Sequence, residues 1–264
     1  MIRVPLLCAA AFVWVAAAGA QPIPAGPQGP QGLVVLQLAY PGAIKSVEDG
    51  VVLFADGTRL NAGTIDPAAP FDQVIRHASI RDMFRLGYPA GAPLTAPAFN
   101  FDPGRFRNKA FFDHLYGDCR KGEVERNLEA VVWLPQSSGR SVMVTRVNGV
   151  AAQLRAVSAE IEKLPPALRR AAFPSAGTYV CRSVADSDQP SMHAYGAAID
   201  LNLNVSDYWM WRGGGAWRNR MPREIVDIFE RHGFIWGGRW YHYDTMHFEF
   251  RPELLVPPIA PQRH

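Results

Sequence analysis

Cysteine is scarce in this chain, with three residues in 264. A dominant charge sign is also missing, because 27 lysines and arginines stand against 24 acids and nowhere form a run. The net charge of +3 and a pI near 8.8 leave no electrostatic footprint for nucleic acid, and no such partner is expected. The mild basicity suits an anionic polymer such as cell wall and an ordinary solvated surface equally well. Beyond residue 18 no apolar stretch approaches the roughly 20 residues that a spanning helix requires, so no stable membrane span is expected. With 48% hydrophobic and 19% charged residues the composition is ordinary for a globular protein, and the length suffices for one large or two small cores.

The first residues carry an address. Arg3 precedes an apolar run from Val4 to Ala18, and Ala18-Gly19-Ala20 supplies the small residues of a cleavage site, so residues 1–20 read as an export signal cut near Ala20/Gln21. The run is too short for an anchor, and Cys8 sits too early in it for a lipoprotein site. The mature chain is expected in the periplasm or the medium. In that oxidising setting the two remaining cysteines, Cys119 and Cys181, are candidates for a disulfide. Two buried free thiols are the alternative, since sequence does not fix the distance between their α-carbons.

Residues 21–32, rich in Pro, Gly and Gln, read as a flexible leader. Residues 33–63 alternate in a β manner, with a hairpin signal at Ala55-Asp56-Gly57, and residues 33–94 together read as an N-terminal β appendage and helix. Helical spacing appears over 71–86 and 105–116, separated by a turn at Asp102-Pro103-Gly104. Ser141 to Val147 reads as a strand, after which Asn148 is expected to cap a helix with an apolar stripe of Val150, Leu154, Val157, Ile161 and Leu164, ended by Pro165-Pro166. A further helix starts at Pro222, buries Ile225, Ile228 and Phe229, and stops at Gly233, with His232 as a helix end that offsets the dipole. Strand character over Ala198–Asn204 and Met246–Phe250 completes an α+β pattern.

The chemistry lies in those last two strands. From Ala198 to Asn204 a period of two sets Ile199, Leu201 and Leu203 on one face and Asp200 on the other. His193 precedes Gly196, whose freedom lets the chain turn so that the imidazole can reach the polar face of Asp200. In the second strand His247 and Glu249 share one face and Phe248 and Phe250 the other. Two imidazoles and one carboxylate, His193, Asp200 and His247, form a typical catalytic Zn2+ set with a fourth position open for water. Asp244, three residues before His247, is placed in the bend entering the strand as the base that takes the water's proton, with Glu249 as a competitor and a mere turn cap as the bland alternative.

The combination resembles the M15 metallopeptidases, the family of D-alanyl-D-alanine carboxypeptidases, vancomycin-resistance dipeptidases and phage L-alanyl-D-glutamate endolysins. Its signature of Ser-x-His-x-x-Gly-x-Ala-x-Asp followed by an acid-x-x-His matches at Ser191, His193, Gly196, Ala198, Asp200, Asp244 and His247. Asp102-Pro103-Gly104-Arg105, Tyr208-Trp209-Met210-Trp211 and Gly233–Gly238 look like segments of one bacterial branch, so the resemblance covers roughly residues 95–254, within an expected peptidase domain at 95–264. It implies a small antiparallel sheet carrying a zinc site and flanked by helices, of the Hedgehog/DD-peptidase-like type. It also implies that Arg182 steadies the developing oxyanion or a substrate carboxylate, a surface ion-pair partner being the alternative. The base in many relatives is Glu, whereas Asp244 follows the endolysin-like branch.

The implied activity is zinc-dependent hydrolysis of peptidoglycan stem peptides, as a D,D-carboxypeptidase or an L-alanyl-D-glutamate endopeptidase. Ser191, Tyr208, Trp240 and His242 are the candidate substrate-binding residues, although burial is the default for most of the tryptophans and tyrosines between the ligand segments. A non-catalytic wall-binding module with the same fold is the main alternative. A non-haem iron oxygenase also uses two histidines and a carboxylate, but the separation of His193 from Asp200 fits the peptidase better.

Overall fold

The computed structural model describes residues 31–184, 189–211 and 216–256. The expected export signal and nearly all of the expected leader lie outside the described residues. Where the chain begins to be described it is helical, not extended. Helix α1 (Gln31–Ala39) replaces the β alternation expected from residue 33. Leu33, Leu36 and Tyr40, three and four residues apart, are buried, while Val34 and Leu38 face outward. An unbroken apolar run has no period of its own, and packing of one face against β1 (Ile44–Glu48) and a turn at Pro252–Leu254 selects the helix.

Strands β1, β2 (Val51–Phe54) and β3 (Arg59–Asn61) form an antiparallel sheet in that order. The hairpin expected at Ala55-Asp56-Gly57 joins the last two: Asp56 Oδ1 accepts the Thr58 N–H at 2.9 Å, and Gly57 takes the turn at φ +91°. The helix expected over 71–86 breaks in two. Helix α2 (Phe71–His77) stops because the Ser79 N–H and hydroxyl both bond Asp82 Oδ2, at 2.9 and 2.6 Å, and open a separate 3-10 turn at Arg81–Phe84. Helix α3 (Lys109–Tyr116) starts later than residue 105, where the Asn108 side chain accepts the Phe111 N–H at 2.9 Å.

Strand β4 (Leu128–Trp133), which the sequence pattern did not single out, pairs antiparallel with β5 (Arg140–Thr145). Helix α4 (Val150–Ile161) buries Val150, Leu154, Val157 and Ile161 as expected. Asn148 is not its cap. At φ +53° it lies in a 3-10 turn, and Gly149 at φ +78° leads into the helix with no side-chain cap. A single turn, α5 (Pro166–Arg169), begins at the second proline.

The remaining elements are β6 (Ala198–Asp200), α6 (Arg223–Arg231), β7 (Phe234–Trp236) and β8 (His247–Phe250). The three strands form an antiparallel sheet in the order β6-β8-β7, with Asp200 opposite His247 and Trp236 opposite Phe248. Strand β6 ends at Asp200 and not at Asn204. The Asn202 amide donates to the Arg170 and Phe173 carbonyls at 3.0 and 2.8 Å, its Oδ1 accepts the Asn204 N–H, and the chain turns there. Leu203 consequently points to solvent, 49% exposed, instead of joining Ile199 and Leu201 in the core.

The back of this sheet packs on α6: the Phe248 ring stacks on Phe229 at 4.0 Å, and Phe250 meets Phe234 edge-on at 5.1 Å. Side chains from Leu33 to Phe250 belong to one apolar cluster, so the N-terminal sheet and the β6-β8-β7 sheet share a core. No described helix is long and apolar enough to cross a membrane. Because the Phe248 ring is fully buried, Phe248→Ala is expected to lower stability by about 3–5 kcal/mol. Urea unfolding measures this, and a loss below about 1 kcal/mol would mean that the cavity collapses easily.

Candidate metal centre

Two backbone devices bring the polar side chains together. On β8 the alternation sends Phe248 and Phe250 to the core, and His247 and Glu249 to the opposite face, where register sets Asp200 beside His247. His193 arrives on a 3-10 turn (Met192–Tyr195) that Ser191 caps and Gly196 ends at φ +64°. A Cβ on Gly196 would come within 2.7 Å of Leu128 Cδ2 and 2.9 Å of the Thr145 nitrogen, so only glycine suits this position.

Asp200 Oδ1 lies 3.1 Å from His193 Nε2 and 3.0 Å from His247 Nδ1, and the two nitrogens are 3.1 Å apart. The other ring nitrogens decide what this triangle can contain. His193 Nδ1 meets the Thr178 carbonyl at 2.5 Å, and His247 Nε2 meets Glu249 Oε2 at 2.8 Å. Both partners accept only, so in its neutral form each ring donates its proton outward and turns a bare lone pair to the centre. Three acceptors then converge with no donor among them, which a cation resolves. Ligands about 2.0–2.1 Å from a tetrahedral ion stand about 3.3 Å apart, and the observed edges are close to that. The three residues together can hold a metal ion.

The centre opens into a cleft of about 380 Å³ whose lining includes every residue that the sequence singled out for catalysis or substrate. Asp244 is half-buried, and its Oδ1 is enclosed without a hydrogen-bond partner. Burial and the nearby Asp200 charge raise its carboxyl to about 7, although the His247 charge opposes them. Arg182 is exposed on the rim, next to Cys181, which is bridged to Cys119 with α-carbons 5.7 Å apart. Ser191 and Trp240 are buried, and their polar atoms are used internally: the Ser191 hydroxyl accepts the His193 N–H, and Trp240 Nε1 donates to the Pro103 carbonyl at 2.7 Å. Tyr208 and His242 are partly exposed. Trp236 is fully buried, whereas Trp211 is 46% exposed on the cleft wall.

Residues 185–250 match the M15 peptidase family described as D-alanyl-D-alanine carboxypeptidase. The match spans all three metal-binding candidates and Asp244. This segment supports membership of the M15 family. No curated protein and no solved structure matches it. The M15 family implies peptide substrates and is typically metal-dependent.

The candidate centre rests on charges that sequence reasoning missed. Glu249, considered only as a competing base, is fully buried behind His247, where it pairs with Arg107 and, at 3.1 Å, with Arg251 Nη1. Burial alone would raise its carboxyl, but Arg107, His247 and Arg251 hold it well below the usual carboxylate range. Asp200 is likewise depressed, the two imidazoles outweighing burial. The Arg-x-Arg spacing at 105 and 107 after Asp102-Pro103-Gly104 was the available signal, but nothing local tied it to a glutamate on a distant strand.

A proton competes with metal for this site. Burial disfavours the His247 imidazolium, but hydrogen bonds to Asp200 and Glu249 outweigh it and push the group up to about 10. At pH 7.5 the metal-free ring is therefore protonated and must lose that proton to become a ligand, so metal binding is expected to release about one proton. Affinity should climb with pH until about 10. Zinc titration calorimetry in buffers of different ionisation heat measures the release, and a value near zero would exclude the protonated ring.

Proposed function

We propose that the chain is an exported zinc peptidase that hydrolyses peptide bonds in peptidoglycan stem peptides, with a DD-peptidase-like sheet as the platform for its metal. The convergence of three acceptor atoms from His193, Asp200 and His247, with both outward ring nitrogens already engaged, carries this reading. Zinc suits two imidazoles and one carboxylate with a position left open, and when bound it supplies Lewis-acid polarisation of a carbonyl and an acidified water.

The chain's own groups do the rest. Asp244 takes the proton of the attacking water at its carboxylate and passes it to the leaving amine. The Met246 N–H bonds this carboxylate, while its Oδ1 has no hydrogen-bond partner among the described residues and stays available for the task. Arg182, exposed on the rim and without an ion pair among the described residues, steadies the oxyanion that develops on the scissile carbonyl. Tyr208 and His242 contact the peptide from the cleft walls, and Trp240, whose ring lies 5.6 Å from that of His247, holds the ligand in place from behind. The disulfide between Cys119 and Cys181 fits an oxidising compartment.

Incubation of defined muropeptides with the zinc-loaded chain, followed by mass spectrometry, tests the activity. Loss of a terminal D-Ala marks a carboxypeptidase, and separation of L-Ala from D-Glu marks an endopeptidase. Both should vanish with EDTA and return with zinc; no metal-dependent cleavage would favour a wall-binding module. Asp244→Asn is expected to lower kcat by about 10²–10⁴ with zinc content unchanged. Because the base acts deprotonated, kcat/KM should rise with pH through an acidic limb no higher than about 7, the value raised by burial, since a nearby cation favours the carboxylate. A variant with near-normal turnover would remove Asp244 from this role.

A further inference from the structure

One end of the cleft holds a donor group that the proposed reaction leaves unused. Asp102 is fully buried, and both of its oxygens are engaged: Oδ1 accepts the His242 N–H at 3.0 Å, while Oδ2 meets His242 Nδ1 at 2.5 Å and Arg105 Nη1 at 3.1 Å. Burial works to raise its carboxyl, but His242 and Arg105 outweigh burial, so Asp102 stays ionised. An ionised acceptor on Nδ1 fixes that nitrogen as the proton carrier, so the neutral ring turns the Nε2 lone pair, an acceptor, outward. Nε2 has no partner among the described residues.

Arg105 is similarly underused. A guanidinium has five N–H donors, and here one of them meets Asp102 while the others bond nothing among the described residues. Its charge lies over the Trp240 ring at 5.9 Å, which fixes the plane, and the neighbouring Arg107 is already committed to Glu249. Both Arg105 and His242 line the cleft, and each side chain is still 18% exposed. Trp209 closes the far side of His242, ring to ring at 4.6 Å. A buried anion thus anchors the Arg105 guanidinium, whose free N–H donors open into the cleft beside the candidate metal residues, and planar forks of this kind recognise carboxylates.

We propose that Arg105, anchored on Asp102, forms a subsite for a carboxylate of the substrate other than any group at the scissile bond. The identity of the ligand as an acidic peptide rests on the peptidase reading, but the subsite does not require turnover. The test uses the full-length chain after metal removal, so that no carboxylate can bind through zinc. A stem tetrapeptide of the L-Ala-D-Glu-L-Lys-D-Ala type and versions with one carboxylate amidated at a time are titrated in, with tryptophan fluorescence as the readout. Amidation of one particular carboxylate is expected to weaken binding at least tenfold. Arg105→Gln should weaken the parent peptide by a similar factor and erase the difference between parent and amide, while the thermal melt and zinc uptake stay unchanged. Should that variant fail to fold, Arg105→Lys, which keeps the charge beside Asp102 but loses the planar fork, is expected to weaken the parent threefold or more. No binding by any peptide, equal binding of parent and amides, or discrimination that survives a folded variant would overturn the subsite. Failure to cleave muropeptides would instead count against the peptidase reading and leave this result standing.

Discussion

The structure depends on a carboxylate that has no access to water. Glu249 is enclosed between Arg107 and Arg251, and its remaining hydrogen-bonding capacity goes to His247. A buried charge survives only when its partners are well placed, and removing one partner typically costs about 3–5 kcal/mol. The network extends beyond the pair. Arg251 meets Glu253 at 2.5 Å and the Gly104 carbonyl at 2.6 Å, and Glu253 accepts the Tyr40 hydroxyl at 2.6 Å. The loop before α3, the end of β8 and the first helix are thereby tied to one point directly behind the His247 imidazole. A region that the sequence separates as an appendage shares its buried polar groups with the half that carries the candidate metal centre.

Two aspartates near the metal residues show how environment divides labour between identical side chains. Asp200 faces two imidazoles and is held ionised, as a ligand requires. Asp244 has one oxygen enclosed without a partner, and burial raises it toward neutrality. A carboxyl that ionises near working pH is suited to move protons, whereas one far below it is suited to hold a cation. The contrast arises from hydrogen bonding, not from residue type.

The segment before the Ser-x-His turn also belongs to this frame. Gly177 and Asp200 exchange close backbone contacts, with the Asp200 N–H bonded to the Gly177 carbonyl at 2.8 Å, and the Thr178 carbonyl fixes the His193 ring. A few residues on, Cys181 is pinned to Cys119 at the end of α3, and Arg182 follows at the rim. One short stretch therefore orients the His193 ring and presents a cation to the cleft.

Much of the centre was legible in the sequence because its information is local. The period of two on β8 put His247 opposite Phe248, the glycine after His193 announced the turn, and the spacing of histidines and acids carried the family signature. The apolar stripes of α4 and α6 were visible for the same reason. Where local signals conflict or are absent, tertiary packing decided. The apolar run after residue 30 became α1 because one face met a core. The strand expected to continue past Asp200 ended because Asn202 found carbonyls at Arg170 and Phe173. The partnership of Arg107 with Glu249 spans 142 residues, and that of Asp102 with His242 spans 140. Sequence by itself determined which side chains could bind a metal. Only the fold could decide which buried charges hold those side chains in place, because a charge pair is chosen by proximity in space and leaves no periodic mark along the chain.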